Sequence, residues 1–369
     1  MYDARVEKFA RILVDYSTQV KPGDRVAVYS SVDALPAVQA LYKLLLERGA
    51  LPDVLLNFPE QYEILLETGS EEQLTFTPPL HKMAFEDFDV LIKVRAEPNT
   101  RFTAQVEPRR QESFERGRAE LIKAQMRRGA TGELRWMSTI YPTNAYAMEA
   151  DMGLREYMDF FFRACHADEG TPDPVAYWRG IHAEQQKIID RIEGHDRVEL
   201  RGPNVDLRLS IKGRKFLNAS GIHNMPDGEV YTGPVEDSVQ GWVRFNYPCV
   251  YIGREVQGVE LKFEDGKVVE ACAQKNEEFL LQMLNSDPGA RYLGEFAIGN
   301  NYEIDRFTRS ILFDEKIGGS FHMALGASYP ETGGKNTSVI HWDMICDMRT
   351  DSEILVDGDV IYRNGKFTF

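Results

Sequence analysis

Over positions 3–19, apolar residues fall at Val6, Phe9, Ala10, Leu13 and Val14, a spacing of i, i+3, i+4, i+7 and i+8 that predicts an amphipathic helix. A Pro22-Gly23 turn follows, then the run RVAVYS at 25–30, which reads as a strand. Residues 34–48 return to the helical period and stop at Gly49, and DVLLN at 53–57 and FDVLIKV at 88–94 read as further strands. Strands separated by helices predict a parallel sheet covered on both faces. The arginine-rich stretch 101–135 predicts a helix with a solvated face. Two more helices are expected at 151–163 and 174–193, with Pro172 and Pro174 between them. No GxGxxG follows the first strand, so the dinucleotide-binding fingerprint is absent.

The texture changes after Gly194, where short strands and turn signals dominate. Strands are predicted at 197–201, 205–211, 259–263 and 267–271, the last two joined by Asp265-Gly266. The C-terminal EILVDGDVIYRNGKFTF repeats the device, with Asp357-Gly358 and Asn364-Gly365 linking three short strands. The expected architecture is therefore an α/β N-terminal domain with a parallel-type sheet, residues 1–190, followed by a β-rich α+β C-terminal domain, residues 191–369.

Composition narrows the function. With 43% hydrophobic and 27% charged residues, the chain is neither disordered nor fibrous. Its formal net charge of −15 argues against general nucleic-acid binding, which needs clustered Lys and Arg. No apolar run approaches the ~18 residues of a membrane span. The N-terminal MYDARVEKFARILVDY contains acids within its apolar period, unlike a signal peptide. Cys165, Cys249, Cys272 and Cys346 stand alone, without CxxC spacing, and fit four free thiols in a reducing cytoplasm.

The chemistry collects in the second half. In SVIHWDM, from Ser338, the apolar start suggests a strand, on which His341 and Asp343, two apart, share a face and offer an imidazole and a carboxylate to one ion. Alone, such a pair is more often an ordinary surface contact. In FDEKIGGSFHMALGASYP, Glu315 and His322 flank Gly318 and Gly319, whose backbone freedom lets both side chains converge. Glu295 lies inside the apolar YLGEFAIG, and Glu229 starts a strand after a Pro-Asp-Gly turn. Glu229, Glu295, Glu315 and Asp343 bring four negative charges, which cannot all persist together uncompensated. Two divalent cations would neutralise them, and with His322 and His341 the donor set is six N/O groups without a thiolate, which suits zinc, cobalt or manganese. Paired ions of this kind are a recurrent hydrolytic device. HExxH is absent, so the site is not a helix-borne zincin.

Four ordered blocks, NMPDGEVYTGPVEDSVQG, LGEFAIGNN, LFDEKIGGSFHMALGASYPETGGKN and SVIHWDM, carry a resemblance to the M29 family of metallo-aminopeptidases. It spans most of the chain and is densest from Asn224 to Met348. The seven-residue step from Glu315 to His322 resembles the aminopeptidase S form of the motif rather than the aminopeptidase T form. The resemblance implies metal ligation by Glu229, Glu295, His322, His341 and Asp343, with Glu295 bridging. Glu315 matches the general base or a further ligand, and Tyr329 a tyrosine that stabilises the tetrahedral intermediate. It also implies two divalent ions (zinc, cobalt, manganese or magnesium), peptide substrates with a free N-terminus, a cytoplasmic homodimer, and no nucleic-acid or membrane partner. Two competing readings are a mononuclear iron(II) ring-opening dioxygenase built on His322, His341 and Asp343, and a non-catalytic relative.

Several residues have blander readings. His223 reads as a turn histidine, Glu236 and Asp237 as turn or helix-start acids, and Lys335 as at most a contact to a substrate carboxylate. Tyr157, Phe160, Phe161 and Phe162 read as core or interface.

Overall fold

The computed structural model describes residues 3–369; the first two positions of the N-terminal amphipathic segment lie outside the described residues. The chain divides into two compact units, one of residues 1–179 and 221–226, the other of 180–220 and 227–369.

In the first unit, strands Arg25–Ser31, Leu51–Asn57, Val90–Arg95 and Arg135–Ile140 pair in parallel. The strand order is Leu51–Asn57, Arg25–Ser31, Val90–Arg95, Arg135–Ile140, with the two-residue Asn224–Met225 at the far edge. Helices Ala4–Arg11, Leu35–Glu47 and Pro108–Ala130 accompany this sheet. One face packs Ala27, Leu91 and Leu134 against Ala84, Phe85, Leu121 and Ala124 of the helices. The α/β reading of this half holds. Its arginine-rich helix is shorter than expected: Pro108 takes a first-turn position, where its missing N–H is harmless, and the helix stops at Ala130. Arg135, read as its end, opens a buried parallel strand instead. Three short helices, Gln61–Thr68, Glu71–Thr75 and Pro79–Glu86, fill a stretch with no clean period. Tyr157, Phe160, Phe161 and Phe162 are fully buried, as core residues should be.

The second unit is β-rich. One eight-stranded antiparallel sheet runs from Lys267–Cys272 to Lys366–Phe367. Its hairpins have the turns their sequences call for: Asp265-Gly266, Asp357-Gly358 and Asn364-Gly365 all have positive φ at both positions, which matches the strand twist. A second sheet is ordered His341–Asp347, Ser320–Gly326, Leu293–Gly299, Glu229–Thr232, Leu217–Ala219, antiparallel throughout. Side chains from both sheets share one apolar core.

The second sheet separates its faces sharply. Phe296, Ile298, Phe321, Met323, Trp342 and Met344 enter the core. The alternate positions hold Glu295, Ala297, His322, Ala324, His341 and Asp343. A register shift between Leu293 and Glu295 makes this possible. Leu293 already faces the core, so strict alternation would send Glu295 there too; the extra residue, Gly294, turns Glu295 to the opposite face. Gly294 has no room for a side chain, since a Cβ would lie 2.0 Å from the Ala327 carbonyl oxygen and 2.4 Å from that of Gly326. Gly294→Ala is expected to destabilise the protein by ~1–3 kcal/mol through overpacking and to reduce bound metal by displacing Glu295. Urea unfolding and metal analysis check this; a variant with unchanged stability and metal content would remove the bulge from the account.

Candidate metal centre

The four strands bring their polar residues into rows. Glu295 pairs across the sheet with Ala324, which pairs with Asp343, so a small residue separates the two carboxylates. His322 pairs with Ala297 on one side and Ile345 on the other, and Glu229 pairs with Gly299. The alanines and glycines leave space above the sheet that the acids and histidines fill. His341 and Asp343 do share a face, although their strand starts at His341 and not at Ser338.

Donor atoms converge in three overlapping groups, each within 4.8 Å: Glu229, Glu295 and His322; Glu295, His341 and Asp343; Glu315, His322 and Asp343. Glu295 belongs to two groups and is 4% exposed. His322 Nε2 lies 3.4 Å from Glu229 Oε2 and 3.5 Å from Glu295 Oε1. His341 Nε2 lies 3.3 Å from Glu295 Oε2 and 3.5 Å from Asp343 Oδ1. Glu315 follows the short helix Ile311–Asp314. Gly319, with φ +92°, sits in the turn between that helix and the His322 strand. Tyr329 lies beside the centre, its ring 5.2 Å from that of His341 and 5.4 Å from that of Tyr231.

The profile of the family described as "Thermophilic metalloprotease (M29)" matches residues 2–367. The chain belongs to the M29 metallopeptidase family. "Aminopeptidase 2" of Geobacillus stearothermophilus is 27% identical over 415 residues, which cover 100% of this chain and 98% of the relative. The solved structure "Wild-type AmpT from Thermus thermophilus" has the same fold, with a TM-score of 0.86 at 23% identity over 99% of both chains. A 2,5-dihydroxypyridine dioxygenase from Pseudomonas putida KT2440 shares the fold more loosely, with a TM-score of 0.57 at 13% identity over 99% of this chain and 96% of that one.

The M29 chain's donor set fits divalent metal on its own chemistry. Two ligand atoms at ~2.0–2.1 Å from one tetrahedral ion stand about 3.3 Å apart, and the four His–carboxylate separations are 3.3–3.5 Å. A charge-assisted hydrogen bond would be shorter, about 2.7–2.9 Å. Glu229 Oε2 and Asp343 Oδ1 are buried and make no hydrogen bond. His341 Nδ1 lies 2.8 Å from the Ala327 carbonyl oxygen, which can only accept. That contact assigns the proton to Nδ1 and, in the neutral ring, leaves the Nε2 lone pair facing carboxylate oxygens. Such a face is repulsive unless a cation or an extra proton lies in it.

Without metal, protons take that role. Burial alone would lower His322, but Glu295 and Glu229 outweigh it and lift the imidazole to about 10. Asp343 and Glu295 outweigh burial at His341 in the same way, again to about 10. Burial would raise Glu295, but the two histidines bring it down to about 2. Burial, then Glu315 and Glu295, raise Asp343 to about 6 against the pull of His341. Burial also pushes Glu229 well up, with Lys316 opposing.

These shifts predict how the metal-free protein responds to pH. The histidines have raised folded values, so their contribution is complete below the ordinary 6.5 and is lost as pH rises through about 10. Glu295 has a depressed value, so its contribution is complete above the ordinary 4.5 and is lost as pH falls toward about 2. Chelated protein is therefore expected to melt several degrees lower at pH 9 than at pH 6. Metal should abolish that fall, because ligated imidazoles stay neutral. Thermal unfolding at both pH values checks it, and an equal melting temperature for the chelated protein would contradict the charge pairing.

Two residues of the centre escaped the sequence reading. Lys316 is fully buried; its Nζ contacts the Glu315 carboxylate and lies 3.9 Å from Glu229 Oε1. The local signal is a lysine between acids and the apolar IGG turn. Gln185 is buried in helix Pro174–Ile192, and its Nε2 donates to the Glu229 carbonyl oxygen at 2.8 Å and the Ala219 carbonyl oxygen at 3.0 Å, which fixes the start of the Glu229 strand. No local pattern marks it. Other candidates belong to none of the three donor groups. His223 stacks on Trp136 in the first unit. Glu236 is held by Arg214 at 2.6 Å and by the Lys335 backbone N–H at 2.7 Å. Lys335 is exposed.

Proposed function

We propose that the chain is a metal-dependent aminopeptidase that releases N-terminal residues from peptides, with two divalent ions (zinc, cobalt, manganese or magnesium) held by Glu229, Glu295, Glu315, His322, His341 and Asp343. The observation that carries the reading is the overlap of three donor groups through shared Glu295, His322 and Asp343. Four carboxylates against one buried ammonium, Lys316, leave an excess of negative charge that divalent cations would offset.

Bound ions would polarise the scissile carbonyl and bring the pKa of a water to about 7. The protein's own groups do the rest. Glu315 accepts the proton of the attacking water and passes it to the leaving amine. Lys316 orients Glu315 from the buried side. Tyr329 donates its phenolic hydrogen bond to the developing oxyanion. Burial and the nearby Glu295 and Asp343 carboxylates raise its pKa, so it stays a donor at neutral pH, although 42% of the residue is exposed. The acidic centre suits a substrate ammonium, which directs cleavage to the first peptide bond. The reading places catalysis in the C-terminal domain, 191–369, and takes the working unit to be a cytoplasmic homodimer. The four free cysteines agree with a reducing compartment. Among the described residues, no helix is long and apolar enough to cross a membrane.

The iron-oxygenase alternative needs two histidines and one carboxylate around one ion. None of the three donor groups contains both His322 and His341. The likeness to the dioxygenase is one of fold.

A panel of aminoacyl-p-nitroanilides tests the proposal. Free-amine substrates are expected to be cleaved at least ~10²-fold faster than their N-acetyl counterparts, since a site built for an ammonium is left unpaired by the amide. Equal cleavage of both would replace the aminopeptidase reading with that of a general amidase.

A further inference from the structure

A second site lies wholly within the first unit. A cavity of about 620 Å³ opens at the C-terminal ends of strands Arg25–Ser31, Leu51–Asn57 and Val90–Arg95. That volume is within the usual range for small-molecule sites, ~300–1,000 Å³. The place is physically meaningful. The chain runs from Arg25–Ser31 outward to Leu51–Asn57, then crosses back to Val90–Arg95 on the other side. In open parallel sheets, ligands bind outside the strand C-termini where the order reverses, because the loops there diverge and leave a crevice.

The lining shows what the crevice suits. Phe85, Phe114 and Leu121 supply an apolar wall. Tyr29 and Tyr62 join hydroxyl to hydroxyl, and Asn57 Nδ2 donates to them at 3.0 and 2.9 Å, so the polar rim is fixed beforehand. Lys93 rises from the sheet floor. Its Nζ donates to Oε1 of the buried Gln125 at 2.9 Å and lies 5.5 Å from the Trp136 ring; among the described residues no carboxylate pairs with it. Arg118, also lining, lies over the Phe114 and Tyr62 rings and likewise has no acid partner among the described residues. Glu60, Glu63, Glu97 and Glu115 stand on the lining too, so the cavity is not simply basic. Of these, Glu97 is biased toward its neutral form by burial. Burial, with Arg95 adding to it, brings Lys93 down to about 8. A half-buried ammonium with only an amide to answer it carries a desolvation cost that a bound anion would offset.

We infer that this cavity binds a small carboxylate with an apolar or aromatic body, its carboxylate on Lys93 and its body against Phe85 and Phe114. Two sources share that chemistry, a simple organic acid and a free amino acid. The inference stands independently of the metal centre.

The probe is 3-phenylpropionate, titrated calorimetrically into the metal-loaded protein, with L-phenylalanine and 3-phenylpropionamide alongside. Binding is expected, with the amide at least tenfold weaker. Lys93→Met should weaken 3-phenylpropionate at least tenfold. Ile122→Trp, which narrows the rim with Lys93 intact, should do the same and guards against a Lys93 variant that folds poorly. Acetylation of Lys93, read by peptide mass spectrometry at pH 8, should be slowed by the acid and not by the amide. Tighter binding of L-phenylalanine than of 3-phenylpropionate in the same Lys93-dependent manner would assign the amino-acid source, and the reverse the simple acid. Binding that survives both substitutions, or that disappears on chelation while Lys93 stays unprotected, would place the probe at the metal centre and overturn the inference. No binding at all would overturn it as well.

Discussion

Glu295→Gln is expected to abolish metal binding and peptide hydrolysis together. Glu295 lies close to both histidines through its two oxygens, 3.5 Å from His322 and 3.3 Å from His341. The amide keeps the shape of the side chain and removes the charge that makes both donor groups attractive to a cation. Loss of about a thousandfold or more in kcat/KM is expected, on the scale of deleting a principal electrostatic group. The same variant should let both imidazoles fall from about 10 toward ordinary values in the metal-free protein, because Glu295 helps hold each of them up. Metal analysis after dialysis and NMR titration of the histidines check the two halves. A variant that keeps its metal would show that Glu295 is dispensable to the centre.

Glu315→Gln should separate chemistry from metal binding. Glu315 groups with His322 and Asp343. Five donors remain without its charge, so ions should be retained. What disappears is the carboxylate that carries the proton from water to the leaving amine, and general acid–base catalysis is worth about 10²–10⁴-fold. The expected result is a fall of that size in kcat with KM little changed. Near-normal turnover would assign the proton transfer elsewhere. The isosteric amide is preferable to alanine, because Lys316 is fully buried against this side chain and an empty position would leave its ammonium facing a void.

Much of this centre is readable from local rules. His341 and Asp343 are two apart on a strand, and period two puts them on one face. The Asp-Gly and Asn-Gly pairs call for hairpins and make them. Glu229 follows a turn and opens a strand, as its sequence suggests. What local rules miss depends on register and on distant packing. Counting by twos from Leu293 puts Glu295 in the core; only the bulge at Gly294, set by pairing with Leu325 and Ala324, turns it to the metal face. Gln185 reaches Glu229 from 44 residues away, through a hydrogen bond no pattern encodes. Arg135–Ile140 begins with a charge next to a long basic helix and so passes for its end, whereas the sheet claims it by pairing with Val90–Arg95. The cavity near Lys93 has no motif at all, because it is made by strand order and not by a loop sequence.

The measurement that bears most directly on the central claim counts metal against turnover. Protein stripped by chelation is titrated with zinc, cobalt or manganese, and release of p-nitroaniline from the best aminoacyl substrate is followed at each step. The account predicts no hydrolysis in the stripped protein and full recovery only as the ratio approaches two ions per chain. Hydrolysis that persists after complete removal of metal, or that saturates at one ion, would contradict it.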